Sequence, residues 1–474
     1  MNQVQKIAKN SLVLISSNII SLLLFLVLSI FIARKLGALE FGKWSFAHAF
    51  AFIFVIITHF GIDLLIIRDV AADKSKVKEY FYNGLIIKIF LSVFVFILMV
   101  LIINILDYPP ETKWVVYIIG AAIIFNSFCR YFYSVFRAFE RMELEAFLFI
   151  LVALISSLLG LTLLFMDYSI KHIALAVLVA HMTGFVLGFC IIRRKFAGYN
   201  SKFNYEFSQK LIKKSLPFFG ILVLENYVMQ IDQVMLSIMN GNEAVGFYSV
   251  ADKLIMSLGI LFMFVDCIFP IMSKLFSKSK NALLLTYKKA VKYLYVIVLP
   301  VSIGVFMLAD KIILLIYGYE YLNSVIVLQI LSIYFLFLSF LRVFNVLLIS
   351  MHRLSTLLKI NICSVIFLTA SNYFFIYRWG YNGLAVSNLL VIFLTFIVYL
   401  AYISKKIYKL PINIFYKPII AVITMSIVIY LLNSMNLFLI ILASVFVYFG
   451  CLLLIRNFSE EDYRLIKRVW SNSK

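Results

Sequence analysis

The sequence predicts an all-α, polytopic membrane protein of about 14 transmembrane helices, arranged as two pseudo-twofold-related six-helix lobes with two further helices at the C-terminal end. Three observations predict it. The 474 residues are 64% hydrophobic with a mean hydropathy of +1.03, far above the usual range of water-soluble chains. Apolar windows of bilayer-crossing length, about 20 residues, recur from one end of the chain to the other. The chain also repeats itself: a shift of 204 positions lays Gly37, Gly42, Ser45 and Ala47 onto Gly241, Gly246, Ser249 and Ala251. Further matches follow in order. A shift of 212 puts Arg130, Phe132 and Arg141 onto Arg342, Phe344 and Arg353, and one of 211 puts Ala174, Arg194 and Lys195 onto Ala385, Lys405 and Lys406.

The elements follow in order. Spans at 11–33, 44–67, 82–106, 114–136, 145–166 and 172–192 make the first lobe, residues 1–196. The opening run, Ser11 to Ala33, is too long for a signal-peptide core and reads as an uncleaved span. Residues 197–215 are a basic linker. Spans at 216–239, 245–272, 293–309, 323–350, 360–377 and 382–402 make the second lobe, residues 216–406, whose first two helices form a hairpin over the five-residue connector Asn240 to Ala244. Residues 407–474 add spans at 418–434 and 437–455 and a basic tail.

An even number of spans puts both termini on one face. Of the 43 Lys and Arg residues, 32 lie in segments on that face, 7 in the opposite loops and 4 inside spans. The positive-inside rule makes the terminal face cytoplasmic. The same asymmetry accounts for the formal charge of +21 and removes nucleic acid as its reason. The long basic loops 193–215 and 273–292 are expected to rest on anionic membrane lipid. Cys129, Cys190, Cys267, Cys363 and Cys451 have neither zinc-like nor redox spacing and read as packing residues.

Function is to be sought among the polar residues inside spans, because a charge in hydrocarbon costs about 2.5 kcal/mol or more and must face protein or water. Glu225, Asn226, Asp232 and Gln233 share one face of the seventh helix. Asp252 and Asp266, fourteen residues apart, share a face of the eighth about 21 Å apart. His48, His59 and Asp63 mark the second helix, the last two as an i, i+4 pair, and Lys88 and Lys253 add bases. Such stripes can line a hydrated passage. They can equally be helix-to-helix pairs, such as Asp63 with Lys88 or Asp266 with Arg342. Arg130 and Arg342 hold matching places in the two lobes, and their guanidinium forks suit phosphate or pyrophosphate, or alternatively snorkel to headgroups. His172, His181 and His352 are weaker candidates.

No zincin motif, no phosphate loop and no large extramembrane region is found, so an ATP-driven pump and a conventional enzyme are not expected, nor is any cofactor. A membrane-embedded glycosyltransferase or polymerase would be expected to carry a large outer loop, which the sequence lacks.

The runs IARKLGALEFGKWSFAHAF (32–50), GIDLLIIRDVA (61–71) and DQVMLSIMNGNEAVGFYSVADKL (232–254) resemble signatures of the Wzx-type polysaccharide flippases. These belong to the multidrug, oligosaccharidyl-lipid and polysaccharide (MOP) exporter superfamily. The resemblance implies alternating access and translocation of undecaprenyl-pyrophosphate-linked oligosaccharide units, in O-antigen or capsule synthesis at a bacterial plasma (inner) membrane. A polysaccharide polymerase and a chain-length regulator are the partners it implies. On that reading Arg130, Arg342, Lys88, Lys253, Asn226 and Gln233 contact the pyrophosphate or sugars, while Asp63, Glu225, Asp232, Asp252, Asp266, His48 and His59 are candidates for ion coupling. A multidrug or cation antiporter and a lipid II flippase are the alternatives within the superfamily.

Overall fold

The computed structural model of the chain describes residues 3–198, 203–409, 411, 413–455 and 457. Every regular element among them is helical. In order these are α1 (Gln3–His59), α2 (Ile62–Ala72), α3 (Val77–Ile105), α4 (Pro110–Ala138), α5 (Met142–Phe165), α6 (Ile170–Ile192) and α7 (Tyr205–Ser257). There follow α8 (Met263–Lys278), α9 (Lys280–Met307), α10 (Ala309–Ile316), α11 (Ser324–Ser350), α12 (Leu354–Lys406), α13 (Asn413–Leu431) and α14 (Leu437–Leu454).

Eleven helical stretches among the described residues are long and apolar enough to cross a membrane. Three of them, in α1, α7 and α12, turn back at a glycine and hold two spans each, which gives 14 crossings. Gly37 (φ 80°, ψ 178°) and Gly241 (φ 81°, ψ 174°) reverse α1 and α7 with nearly the same backbone angles, in a region that only glycine enters at no cost. The five-residue connector expected at Asn240 to Ala244 is thus a single non-helical residue, with helix on both sides. Gly380 (φ 56°) does the same in α12.

Two spans are less regular than the hydropathy suggests. The helix expected over 44–67 breaks at Phe60 and Gly61, both with positive φ, and restarts as α2. The helix expected over 245–272 passes through a 3-10 turn at Leu258–Phe262 before α8. Regular i to i−4 bonding is lost at both places, beside the acidic residues that follow.

The chain divides into two compact units, Met1–Ser249 and Val250–Lys474. In the first, α4 is the central helix, packed on α1, α2, α3, α5 and α6. Its buried face includes Val115, Ile119, Ile123, Tyr131, Phe132 and Phe136. By contrast, α3 leaves Phe90, Val93, Phe94, Ile97, Leu101 and Ile105 exposed along one side, as befits a helix of a membrane protein that faces lipid. In the second unit α11 is the corresponding inner helix, packed on α8, α9 and α12. There α13 and α14 form a hairpin against α9, fastened where the Tyr448 hydroxyl donates to the Val296 carbonyl (2.8 Å). The Lys311 ammonium holds the turn between α13 and α14 by donating to the Asn433 and Met435 carbonyls.

Candidate functional site

The break at Phe60 and Gly61 positions the main charged cluster of the first unit. It brings Ile62, at the start of α2, to Gly84 of α3 and Tyr131 of α4: a β-carbon on Gly84 would lie 2.4 Å from the Tyr131 hydroxyl oxygen and 3.4 Å from Ile62. One residue on from Ile62 is Asp63, one turn on from Gly84 is Lys88, and one residue before Tyr131 is Arg130. The charged side chains therefore surround one packed junction of three helices.

Of the two partners the sequence offers Asp63, the local one forms the bond. Asp63 Oδ2 meets His59 Nδ1 at 2.9 Å, an i, i+4 pair bridging the helix break. Lys88, expected as a partner of Asp63, is 1% exposed and donates instead to the Thr58 carbonyl (3.1 Å), with its ammonium over the rings of Phe128 and Tyr131. Thr58 and Ser127 hydrogen-bond beside it (3.1 Å). Asp63 Oδ1 is buried and has no hydrogen-bond donor. Arg130 is the one exposed residue between 127 and 136, a stretch of α4 otherwise wholly buried. In the second unit Arg342 is likewise the one exposed residue between 339 and 348 of α11. Arg130 on α4 and Arg342 on α11 are thus both exposed, at positions related by the internal repeat.

The remaining candidates fall into separate settings. His48 Nδ1 is bound to its own helix at the Trp44 carbonyl (2.8 Å). On α7, Glu225 is exposed, the Asn226 amide donates to the Phe52 carbonyl (2.8 Å), and half-buried Asp232 accepts from the Tyr248 hydroxyl (3.4 Å). Gln233 is half-buried on the same arm. Asp252 and Lys253 are half-buried at the start of the second unit. The side chain of Asp266 lies outside the described residues, and with it the expected pair with Arg342. His172 binds Ser169 (2.9 Å) at the start of α6, buried His181 binds the Val177 carbonyl (2.9 Å), and His352 occupies a turn with φ 56°.

A second arrangement was not anticipated from the sequence. The hairpin turns of α1 and α7 meet backbone to backbone. A β-carbon on Gly42 would lie 1.7 Å from the Asn242 carbonyl oxygen, and one on Gly246 would lie 2.0 Å from the Ala38 carbonyl oxygen. Gly42 and Gly246 are repeat equivalents, as are Ala38 and Asn242, so the two contacts are reciprocal. Polar groups brace them: the Asn242 amide donates to Thr112 (3.2 Å), Ser237 donates to Asn242 Oδ1 (2.8 Å), and Tyr108 and Ser237 share a hydrogen bond (2.8 Å). Lys43, assigned from the sequence to an outer loop, is 6% exposed and bridges Glu40 (2.5 Å) and Glu111 (2.8 Å). The repeat of Gly-x4-Gly at 37–42 and 241–246 was the available signal.

The model of the polysaccharide biosynthesis protein family matches residues 7–276, more than half the chain. The chain belongs to the polysaccharide biosynthesis protein family. That places it in the MOP exporter superfamily, as a multi-pass membrane protein. The model of the lipid II flippase MurJ also matches this polysaccharide biosynthesis protein, over residues 208–450. Among solved structures it is similar to a lipid II flippase MurJ in an inward closed conformation, with TM-score 0.76 and 16% identity over 94% of this chain and 99% of that one. An inward-facing MATE family multidrug transporter gives TM-score 0.65 and 17% identity over 81% and 95% of the two chains. A MOP superfamily transporter from Pyrococcus furiosus gives TM-score 0.57 and 15% identity over 84% and 95%. No curated protein sequence matches the chain.

Proposed function

We propose that this protein is a flippase that carries a pyrophosphate-linked oligosaccharide, on an undecaprenyl-type lipid, from the cytoplasmic to the outer leaflet by alternating access. The product supplies surface polysaccharide synthesis, O-antigen or capsule, at a bacterial inner membrane with both termini of the protein in the cytoplasm. The observation that carries this reading is the pair of repeat-related arginines. Arg130 and Arg342 are each the exposed residue in a buried stretch of helix, and a guanidinium fork matches the oxygens of a pyrophosphate. Sugars and pyrophosphate do not cross hydrocarbon unaided, whereas the lipid chain remains in the bilayer while the head passes.

In a strain lacking the native gene, Arg130→Gln with Arg342→Gln is expected to lower surface polysaccharide at least tenfold while the protein still inserts. Arg130→Lys with Arg342→Lys is expected to restore part of it. Unchanged polysaccharide in the glutamine double variant would falsify the cationic assignment.

A lipid II flippase is the second reading, favoured by the MurJ family match over 208–450. Complementation of a strain depleted of its lipid II flippase separates the two: growth supports the second reading, and lysis the first.

A further inference from the structure

We propose that the seam between α3, α4 and α6 binds one anionic phospholipid, with its phosphate on Lys74 and Lys78 and one acyl chain in a groove between the helices. The inference goes beyond the transport reading and does not depend on it.

The groove has a volume of about 430 Å³. All three helices supply its walls: Ile89, Val93 and Ile97 on α3, Ile124 and Phe128 on α4, and Phe185 on α6. The lining is apolar except for Ser92, whose hydroxyl is buried. Measured along the helix axis from Tyr82, where the span begins, residues 89–97 lie about 10 to 22 Å deep. One leaflet's hydrocarbon is about 15 Å thick, so the groove sits where the far half of an acyl chain from the basic face lies.

The seam continues to that face. Lys78, Tyr82, Ile89 and Val93 share one face of α3, as Phe128, Phe132 and Phe139 share one face of α4. Phe185 meets Phe132 (5.6 Å) and Phe189 (6.2 Å), and Phe189 meets Phe81 (6.3 Å). At its end α6 leaves regular winding for a π-turn over Arg193–Ala197, where Phe196 packs on Phe136 (5.9 Å) and Phe139 (4.8 Å) while Arg194 and Lys195 stay exposed.

The charges gather around these rings. Lys74 holds its ammonium over Phe139 (5.6 Å). The Tyr82 hydroxyl donates to the Gly198 carbonyl (2.6 Å), and the Lys78 ammonium lies 3.4 Å from where a β-carbon on Gly198 would be. Lys76 is bound by Asp73 (3.3 Å), but Lys74, Lys78, Arg194 and Lys195 form no ion pair among the described residues. An anionic headgroup supplies the missing charge and its chain fills the groove, whereas a zwitterionic headgroup brings its own cation and gains less. An acidic protein or a nucleic acid would meet the charges and leave the groove empty. Phe128 also underlies the Lys88 ammonium (5.8 Å), so the bound chain and the charged cluster share one ring.

The test is native mass spectrometry of the full-length protein in detergent, titrated with dioleoyl phosphatidylglycerol or dioleoyl phosphatidylcholine. One phosphatidylglycerol is expected to be retained at a concentration at least about tenfold below that needed for phosphatidylcholine. Lys74→Gln with Lys78→Gln is expected to remove about tenfold of that preference, and Lys405→Gln with Lys406→Gln, an equal loss of charge at the end of α12, to leave it unchanged. Dihexanoyl phosphatidylglycerol is expected to bind at least about tenfold more weakly than the dioleoyl lipid, a comparison that needs no variant. No preference for phosphatidylglycerol, or an equal loss in both double variants, means a diffuse field in place of a site. Equal affinity for the two chain lengths removes the groove, and displacement by glycerol phosphate or by a prenyl pyrophosphate gives the cations to a soluble phosphate or to the transport substrate. Each of these outcomes overturns the proposal and leaves the flippase reading as it stands.

Discussion

The contact between the two hairpin turns and the charged cluster at the α1–α2 break lie in the same compact unit and are built on opposite terms. At the turns, Gly42 and Gly246 admit the opposing carbonyls, and Asn242, Thr112, Ser237 and Tyr108 form a connected chain of hydrogen bonds. At the break, a lysine is buried with one carbonyl acceptor and a carboxylate keeps a bare oxygen. The first is the packing of a fixed contact. The second is what a site looks like when its electrostatics await something else. Stability and transport should therefore respond to substitutions in the two regions in opposite ways.

The sharpest break comes at the turns. Gly42→Val, or Gly246→Val, forces backbone apart on both sides, and each is expected to cost about 3 kcal/mol or more, read as a fall in melting temperature in detergent. Gly220→Ala is the control, since a β-carbon there meets nothing within 4 Å. If Gly42→Val melts like Gly220→Ala, the turns do not form the contact described. Asn242→Ala removes the centre of the polar chain and leaves Thr112 and Ser237 with unmet groups, for an expected loss of about 2 kcal/mol in the same measurement.

Lys88→Met tests the opposite region. Replacing a buried charge by an apolar chain of similar volume is expected to leave stability unchanged or raise it by about 1 kcal/mol. Polysaccharide export should nevertheless fall about tenfold, corresponding to 1.4 kcal/mol of lost anion binding. A destabilised Lys88→Met with normal export would make Lys88 a structural residue and erase the contrast.

The smallest effect lies outside the membrane, at Asp73. Hydrogen bonds from the Ser75 hydroxyl and backbone amide hold its carboxyl below the usual carboxylate range. The depressed value means the cap is fully present above the ordinary carboxylate range and is lost as pH falls through the folded value. The protection of the Ser75 amide, its exchange rate relative to that of an unstructured amide at the same pH, should fall as pH drops through that interval and show no such step in Asp73→Ala.

The spans were legible because hydropathy and length act residue by residue, and the repeat was legible because Gly37 and Gly241 need the same positive φ. Arg130 and Arg342 were legible as a matched pair for the same reason. Partners were not. Lys43 was assigned to an outer loop, yet it meets Glu111, 68 positions away, because the start of α4 reaches the turn of α1. Asp63 offered two partners, His59 four residues back and Lys88 at similar depth, and across the break at Phe60 and Gly61 the local one forms the bond. Depth in the membrane follows from sequence order; the rotation of one helix against another depends on packing that no single stretch encodes.

The reciprocity of the turn contact has a consequence for ancestry. Position 42 meets the repeat image of position 38, and the repeat image of 42 meets 38 itself, which is the bonding rule of an isologous homodimer. A half-length chain carrying this patch would be self-complementary, so joining two such halves in one chain turns an association that depends on concentration into one that does not.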